Sequence, residues 1–214
     1  MRFIKRHVFF LRGYTQALFF LALVAHVWFY PPSDVFEGTW IDTLVDTLGA
    51  ACLVAGGLLR IWAVSHAGRC TRSRRLKAPM LITSGPYALM RHPIYTGNFL
   101  IGLGMVVLSE SIVWIPVFLA LFVLLYGALV AAEEEFLSER FGEAFERYRR
   151  SVPKYLPRPL ATSPSFSPGN RFHLKELGTV LGIAVGWFCF EWIESPSHRQ
   201  WLIALYHWLT GTPS

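Results

Sequence analysis

Residues 94–132 read IYTGNFLIGLGMVVLSESIVWIPVFLALFVLLYGALVAA, with one charged side chain, Glu110. A helix needs roughly 20 apolar residues to cross a bilayer, so this stretch is long enough for two crossings. The polar break is Ser109-Glu110-Ser111. A break that short implies a tight hairpin between apolar runs at about 90–109 and 111–132. Comparable runs occupy 10–30, 40–64 and 177–195. Trp201–Leu209 is too short to cross, and its aromatics fit a helix lying at the interface. The expected fold is an all-α integral membrane protein of about five transmembrane helices.

Composition agrees. Hydrophobic residues make up 53% and charged residues 16%, against about 25% charged in an ordinary soluble domain. That balance excludes disorder and argues against a soluble enzyme. The net charge of +6 would raise nucleic acid as a partner for a soluble chain. Here the basic residues lie in the connections between apolar runs, so they orient the chain instead, and no nucleic-acid partner is expected. Arg2, Lys5, Arg6 and Arg12 lead into the first run. Arg69, Arg72, Arg74, Arg75, Lys77 and Arg91 fill the 65–93 connection. Arg140, Arg147, Arg149, Arg150, Lys154, Arg158, Arg171 and Lys175 fill 133–176. Residues 31–39 and 109–111 hold no Lys or Arg, and only Arg199 follows the last run. The positive-inside rule then puts the N-terminus in the cytoplasm and the C-terminus outside. A bacterial inner membrane is the expected location. No small-x-small cleavage site closes the first run, which reads as an uncleaved membrane helix. Cys52, Cys70 and Cys189 show no metal-ligand or disulfide pattern, and no histidine pair has zinc spacing, so no metal site is expected.

The polar flanks of the hairpin carry the chemistry. Upstream, Gly85-Pro86 signals a turn, and Pro93 suits the first turn of a helix. Arg91 and His92 would then precede a helix N-terminus, a ready site for a carboxylate or phosphate. The bland alternative is that they anchor the helix at the interface. Downstream, Glu133-Glu134-Glu135 closes the fourth run. Three adjacent carboxylates are costly without a cation, although a helix emerging into water would tolerate them. Together the two clusters offer opposite poles for a free amino-acid moiety. Glu133 to Arg150 reads as the fourth helix continuing into the cytoplasm, ended by Pro153 and the prolines after it. The chain divides into 1–80 (two helices and a basic loop), 81–160 (the core with the cofactor site) and 161–214 (linker, fifth helix and interfacial helix). Asp42, Asp46, Glu191 and Glu194 are ionisable groups near outer helix ends. Gly102 and Gly104 fit close helix packing.

GPYALMRHPIYTGN at 85–98 and EEEFLSERFGEAFERYRRSVPKYLP at 133–157 resemble the integral-membrane methyltransferases, which include isoprenylcysteine carboxyl methyltransferases and phospholipid N-methyltransferases. The resemblance covers about Leu81–Pro157, and Phe145 stands where the family often has tyrosine. It implies S-adenosylmethionine as cofactor, bound on the cytoplasmic side, and a lipid-like substrate. By matched position, Leu81 and Ile82 would lie along the adenosine. Tyr87, His92, Pro93 and Tyr95 would line the cofactor, and Glu133 would hold its ammonium group. Arg91, His92 and Glu134 are the expected catalytic residues. The carboxyl methyltransferases carry an arginine four residues before the cofactor-binding glutamate, where this chain has Leu129. Leucine offers no donor to a carboxylate, so an acceptor with a neutral or amine head group is expected. The same RHP-x-Y-x-G stretch also resembles NADPH-dependent sterol reductases, and a non-catalytic membrane scaffold is a third reading. Oligomeric state is not legible.

Overall fold

A computed structural model describes residues 18–27, 29–30, 39–67, 78–157 and 201, and the following account concerns these residues. They are helical, with no β-strand among them. We label the helices α1 (Leu18–Val27), α2 (Trp40–Ala67), α3 (Pro86–Leu89), α4 (Pro93–Leu108), α5 (Trp114–Phe141) and α6 (Glu143–Ser151). By length and composition α2 and α5 can each cross a membrane, whereas α1 and α4 are shorter apolar helices. The fifth apolar run, the interfacial stretch after Trp201, the N-terminal basic cluster and the 161–176 linker lie outside the described residues.

The third run was bounded at about 90, and its helix starts at Pro93, the residue the sequence marks for a first helical turn. A proline disfavours helical backbone in the residue before it, and His92 accordingly has φ −123° and ψ 57°. The fourth run was expected to continue unbroken to Arg150. It divides at Gly142, whose φ of 52° suits a residue without a β-carbon. The Gly142 N–H closes α5 on the Ser138 carbonyl at 2.9 Å, and the Gly142 carbonyl accepts from Phe145 and Glu146 to open α6. The Ser138 hydroxyl donates to Glu146 Oε1 at 3.1 Å, tying the two helices across the corner. The hairpin between α4 and α5 is as tight as expected, with the buried Ser109 hydroxyl donating to the Val106 carbonyl at 2.8 Å.

Glycines set the main packing. α2 and α4 run antiparallel and meet at two matched pairs. A β-carbon on Gly56 would lie 2.7 Å from the Gly97 carbonyl oxygen, and one on Gly104 would lie 2.7 Å from that of Gly49. Backbones that approach so closely gain dispersion contacts without any hydrophobic drive, the usual basis of helix association in lipid. Gly102 instead receives the ring of Phe118. The close helix packing expected of Gly102 and Gly104 is therefore present. On the other face of α4, Leu23 and Val27 of α1 pack with Val106 and Phe118, and Phe19, Phe99 and Trp114 close this cluster. The bundle holds the start of α4 beside the charged end of α5.

Candidate functional site

α5 is apolar from Trp114 to Ala132 and then turns charged. Its length of about 42 Å at 1.5 Å per residue exceeds a bilayer core of about 30 Å. Glu133 and its successors are thus the part of α5 that projects beyond the apolar layer. The residues before Pro93 meet them there.

Arg91 is fully engaged. Its Nε donates to Glu134 Oε1 at 3.2 Å, and Nη2 lies 3.0 Å from the same oxygen. Its Nη1 donates to the carbonyls of Arg149 (2.6 Å) and Val152 (2.9 Å) at the end of α6. The backbone completes the strap, with Arg91 N–H on the Pro153 carbonyl at 2.9 Å and His92 N–H on that of Lys154 at 3.2 Å. The Thr96 hydroxyl reaches the Tyr155 carbonyl at 3.2 Å. His92 is buried, and its Nε2 lies 3.0 Å from Glu134 Oε1. Because a carboxylate can only accept, that nitrogen carries the proton. Lys154 approaches Glu134 Oε2 at 3.6 Å.

The two glutamates have different surroundings. The Glu134 side chain is 9% exposed and is ringed by cations. Burial alone would raise its pKa. The His92 hydrogen bond and the charges of Arg91, His92 and Lys154 outweigh that and hold it down to about 2. Glu133 is 31% exposed, accepts a hydrogen bond from the Tyr95 hydroxyl at 2.8 Å, and lies 3.9 Å from His92 Nδ1. The His92 and Tyr95 rings stack at 5.7 Å, and Tyr155 tilts over His92 at 6.1 Å. Burial, and then the Glu134 charge, push the Tyr155 hydroxyl pKa up.

The fold brings together Arg91, His92, Pro93, Tyr95, Glu133 and Glu134. Leu81 packs beside them on the Phe145–Tyr148–Val152 cluster of α6, and Ile82 is half-buried. Tyr87 is held through its carbonyl, which accepts from the Tyr148 hydroxyl at 2.7 Å. Burial raises the pKa of that hydroxyl. Leu129 is buried with Tyr95, Tyr126 and Val130, and Glu135 is exposed. At the turn before α3, Gly85 has φ 60°, and a β-carbon there would meet the His66 ring at 2.7 Å. His66 Nε2 lies 2.8 Å from the Ser84 hydroxyl. At the other end of α2, Asp42 and Asp46 gather with Glu110, with one carboxylate oxygen of each within 4.8 Å of the others.

Sequence reasoning had not singled out Lys154, Tyr155, His66, Arg60 or Asn98 as parts of a site. Lys154 and Tyr155 belong to the SVPKYLP stretch, whose prolines favour an extended strap that can lie along another chain segment. Asn98, a polar residue one turn past Tyr95 in an apolar helix, was the available signal for its own role.

Comparison with known proteins gives a consistent result. Residues 44–144 match a family model described as phospholipid methyltransferase. The cobalt-zinc-cadmium resistance protein CzcN of Cupriavidus metallidurans is 36% identical over 58% of this chain and 54% of its own length. The nickel-cobalt-cadmium resistance protein NccN of Alcaligenes xylosoxydans xylosoxydans is 32% identical over 58% of the chain and 54% of its own length. The protein-S-isoprenylcysteine O-methyltransferase of Schizosaccharomyces pombe is 35% identical over 52% of the chain and 48% of its own length. The chain thus spans about half the length of these curated relatives. No solved structure matches it.

Proposed function

From the match of residues 44–144 to the phospholipid methyltransferase family model, we propose that the protein is a membrane-embedded methyltransferase that uses S-adenosylmethionine and methylates a lipid-like acceptor. The observation that carries this reading is the division of labour between adjacent glutamates. Glu134 is buried and neutralised within the chain, whereas Glu133 stays partly open with one phenol hydrogen bond. A half-open carboxylate backed by Tyr95 and His92 suits an ammonium group. The donor set fits an amino-acid moiety, since Lys154, which approaches the adjacent Glu134, is 39% exposed and has three N–H donors for a carboxylate.

When bound, adenosylmethionine supplies a methyl group from a sulfonium centre. Methyl transfer is an in-line displacement that requires mainly positioning. On this reading Glu133 binds the ammonium, Tyr95 and His92 orient Glu133, and Leu81, Ile82, Tyr87 and Pro93 line the pocket. Arg91 and Glu134 hold the α6 strap in place and act as positioning residues. Burial between helices excludes water, which favours a reaction in which charge is lost at the transition state. The same reading places five crossings in a bacterial inner membrane, with the N-terminus cytoplasmic and the C-terminus outside.

Calorimetric titration with S-adenosylhomocysteine tests it. Glu133→Ala should weaken binding about tenfold or more, the loss of one charge-assisted hydrogen bond, and Glu135→Ala should have a smaller effect. Binding of NADPH in place of the adenosyl compound, or equal and small effects of both substitutions, would sink the proposal.

A further inference from the structure

Asn98 on α4 reaches both neighbouring helices. Its Oδ1 accepts a hydrogen bond from Arg60 Nη1 on α2. Its Nδ2 donates to the Tyr126 hydroxyl on α5 at 3.1 Å. A guanidinium only donates, so the carboxamide must turn its oxygen to Arg60 and its nitrogen to Tyr126. Gly97 gives the arginine its place, since a β-carbon there would lie 3.1 Å from Arg60 Cβ. Tyr126 is buried. Its ring stacks on Phe122 at 4.0 Å and meets the Tyr95 ring edge-on at 5.3 Å. Tyr95 in turn stacks with His92 at 5.7 Å, and its hydroxyl donates to Glu133 at 2.8 Å. Along α5, Tyr126 and Glu133 are separated by two turns, roughly 10 Å.

We propose that Asn98 is a positioning residue for the cofactor's ammonium group: by anchoring Tyr126 it fixes the Tyr95 ring, whose hydroxyl orients Glu133. This rests on the methyltransferase reading above, in which Glu133 binds that ammonium. Helix association does not require the tie. Gly49, Gly56, Gly97 and Gly104 already bring α2 against α4, and Phe99 packs on Phe118 and Phe122 to join α4 to α5. What the tie adds is direction. Apolar contact is non-directional, so stacking on Phe122 alone leaves the tip of Tyr126 unfixed. A hydrogen bond at that tip fixes where the ring ends, and the ring edge then sets the place of Tyr95. Glu133 receives its phenol hydrogen bond from this one ring. Hydrogen bonds weaken steeply away from their preferred geometry, so a displaced Tyr95 leaves the carboxylate turned from the ligand. Arg60 holds the oxygen end of Asn98 and so keeps the carboxamide from flipping.

The test compares two ligands by calorimetric titration of the purified full-length protein in nanodiscs. S-adenosylhomocysteine carries the amino-acid chain, and 5′-methylthioadenosine is a nucleoside thioether without it. Asn98→Leu should weaken S-adenosylhomocysteine about three- to tenfold, the coupling usual within one network, and leave methylthioadenosine within about twofold. Tyr126→Phe keeps the ring and removes the bond, so it should reproduce the selective loss even where Asn98→Leu fails to fold. Asn98→Asp should retain wild-type selectivity, because its oxygens accept from Arg60 and the Tyr126 hydroxyl can donate to it. In a Tyr95→Phe background, Asn98→Leu should change the ratio of the two affinities no further. Equal weakening of both ligands, the result of loosened helix packing alone, would overturn the proposal. So would unchanged binding in Asn98→Leu and Tyr126→Phe, or a further selective loss in the Tyr95→Phe background, and in these cases the methyltransferase reading stands. A wild type that binds S-adenosylhomocysteine no better than methylthioadenosine, or not at all, would remove the ammonium role of Glu133 and this proposal with it.

Discussion

Gly56 and Gly97 are opposed so closely that a β-carbon on Gly56 would sit 2.7 Å from the Gly97 carbonyl, and one on Gly97 would sit 2.9 Å from that of Gly56. Backbone cannot yield as a flexible side chain can. Gly56→Val should lower stability by about 1–3 kcal/mol, the usual range for overpacking, visible as a lower melting temperature in detergent. Gly127→Ala is the control, because a β-carbon there meets nothing within 4 Å. It should be neutral or stabilising by about 0.5–1 kcal/mol. Equal losses in both variants would show that this contact does not hold α2 to α4.

Breaking the Arg91–Glu134 pair should be costly. Glu134→Ala leaves Arg91 and His92 without their carboxylate, and removing one partner of a buried pair costs about 3–5 kcal/mol. Arg91→Lys keeps the charge but loses the forked geometry that joins Glu134 to the carbonyls of Arg149 and Val152. Faster amide exchange should appear in Arg91→Lys at the N–H groups of residues 91 and 92, which donate to the Pro153 and Lys154 carbonyls. Unchanged exchange there would mean that the backbone bonds alone hold the strap.

Acid should release the same element. The Glu134 pKa lies at about 2 in the folded chain, against an ordinary value of 4.5. The unfolded chain therefore takes up its proton first, and the stabilisation is complete above about 4.5 and lost as the pH falls towards 2. Thermal melts across this window should fall less steeply in Glu134→Gln than in wild type. Parallel curves would assign the acid sensitivity to other groups.

Gly85→Ala introduces two separable problems, a φ of 60° that disfavours a side chain and a β-carbon 2.7 Å from the His66 ring. The single variant should weaken S-adenosylhomocysteine binding by displacing the 81–87 loop. Adding His66→Ala should recover only part of the loss, because the clash is relieved and the backbone strain is not. Full recovery would show that φ carries no cost there.

Topology is open to reporters. Fusions after Ser214 and within 160–170 should report opposite sides of the membrane. The same side for both would remove the fifth crossing.

The sequence made the site legible wherever charge interrupts apolar runs. Pro93, His92, Tyr95 and the glutamate cluster all stand at such interruptions, and the fold gathers them. Pairing was harder to read. Arg91 and His92 were expected to bind a ligand carboxylate, but the nearest carboxylate to both is Glu134. Contacts between residues more than 40 positions apart leave no local periodic signal. Gly142 stands among strong helix formers, so the sequence pattern reads straight through the corner it makes. Arg60 stands alone among apolar residues in the second half of α2, and its bond to Asn98 depends on how α2 and α4 cross.

Arg91 makes its hydrogen bonds with residues 58 and 61 positions further along the chain, on the far side of α4 and α5. At synthesis rates of about 5–20 residues per second, the ribosome takes roughly 3–12 s to make that interval. Until Glu134 follows, 43 positions after Arg91, the nascent chain holds an uncompensated guanidinium and imidazole beside a newly inserted helix. Biogenesis therefore has a defined late event: the site closes only when α6 has left the ribosome and turned back at Gly142. A chain stalled before Pro153 would insert its helices and still lack the site.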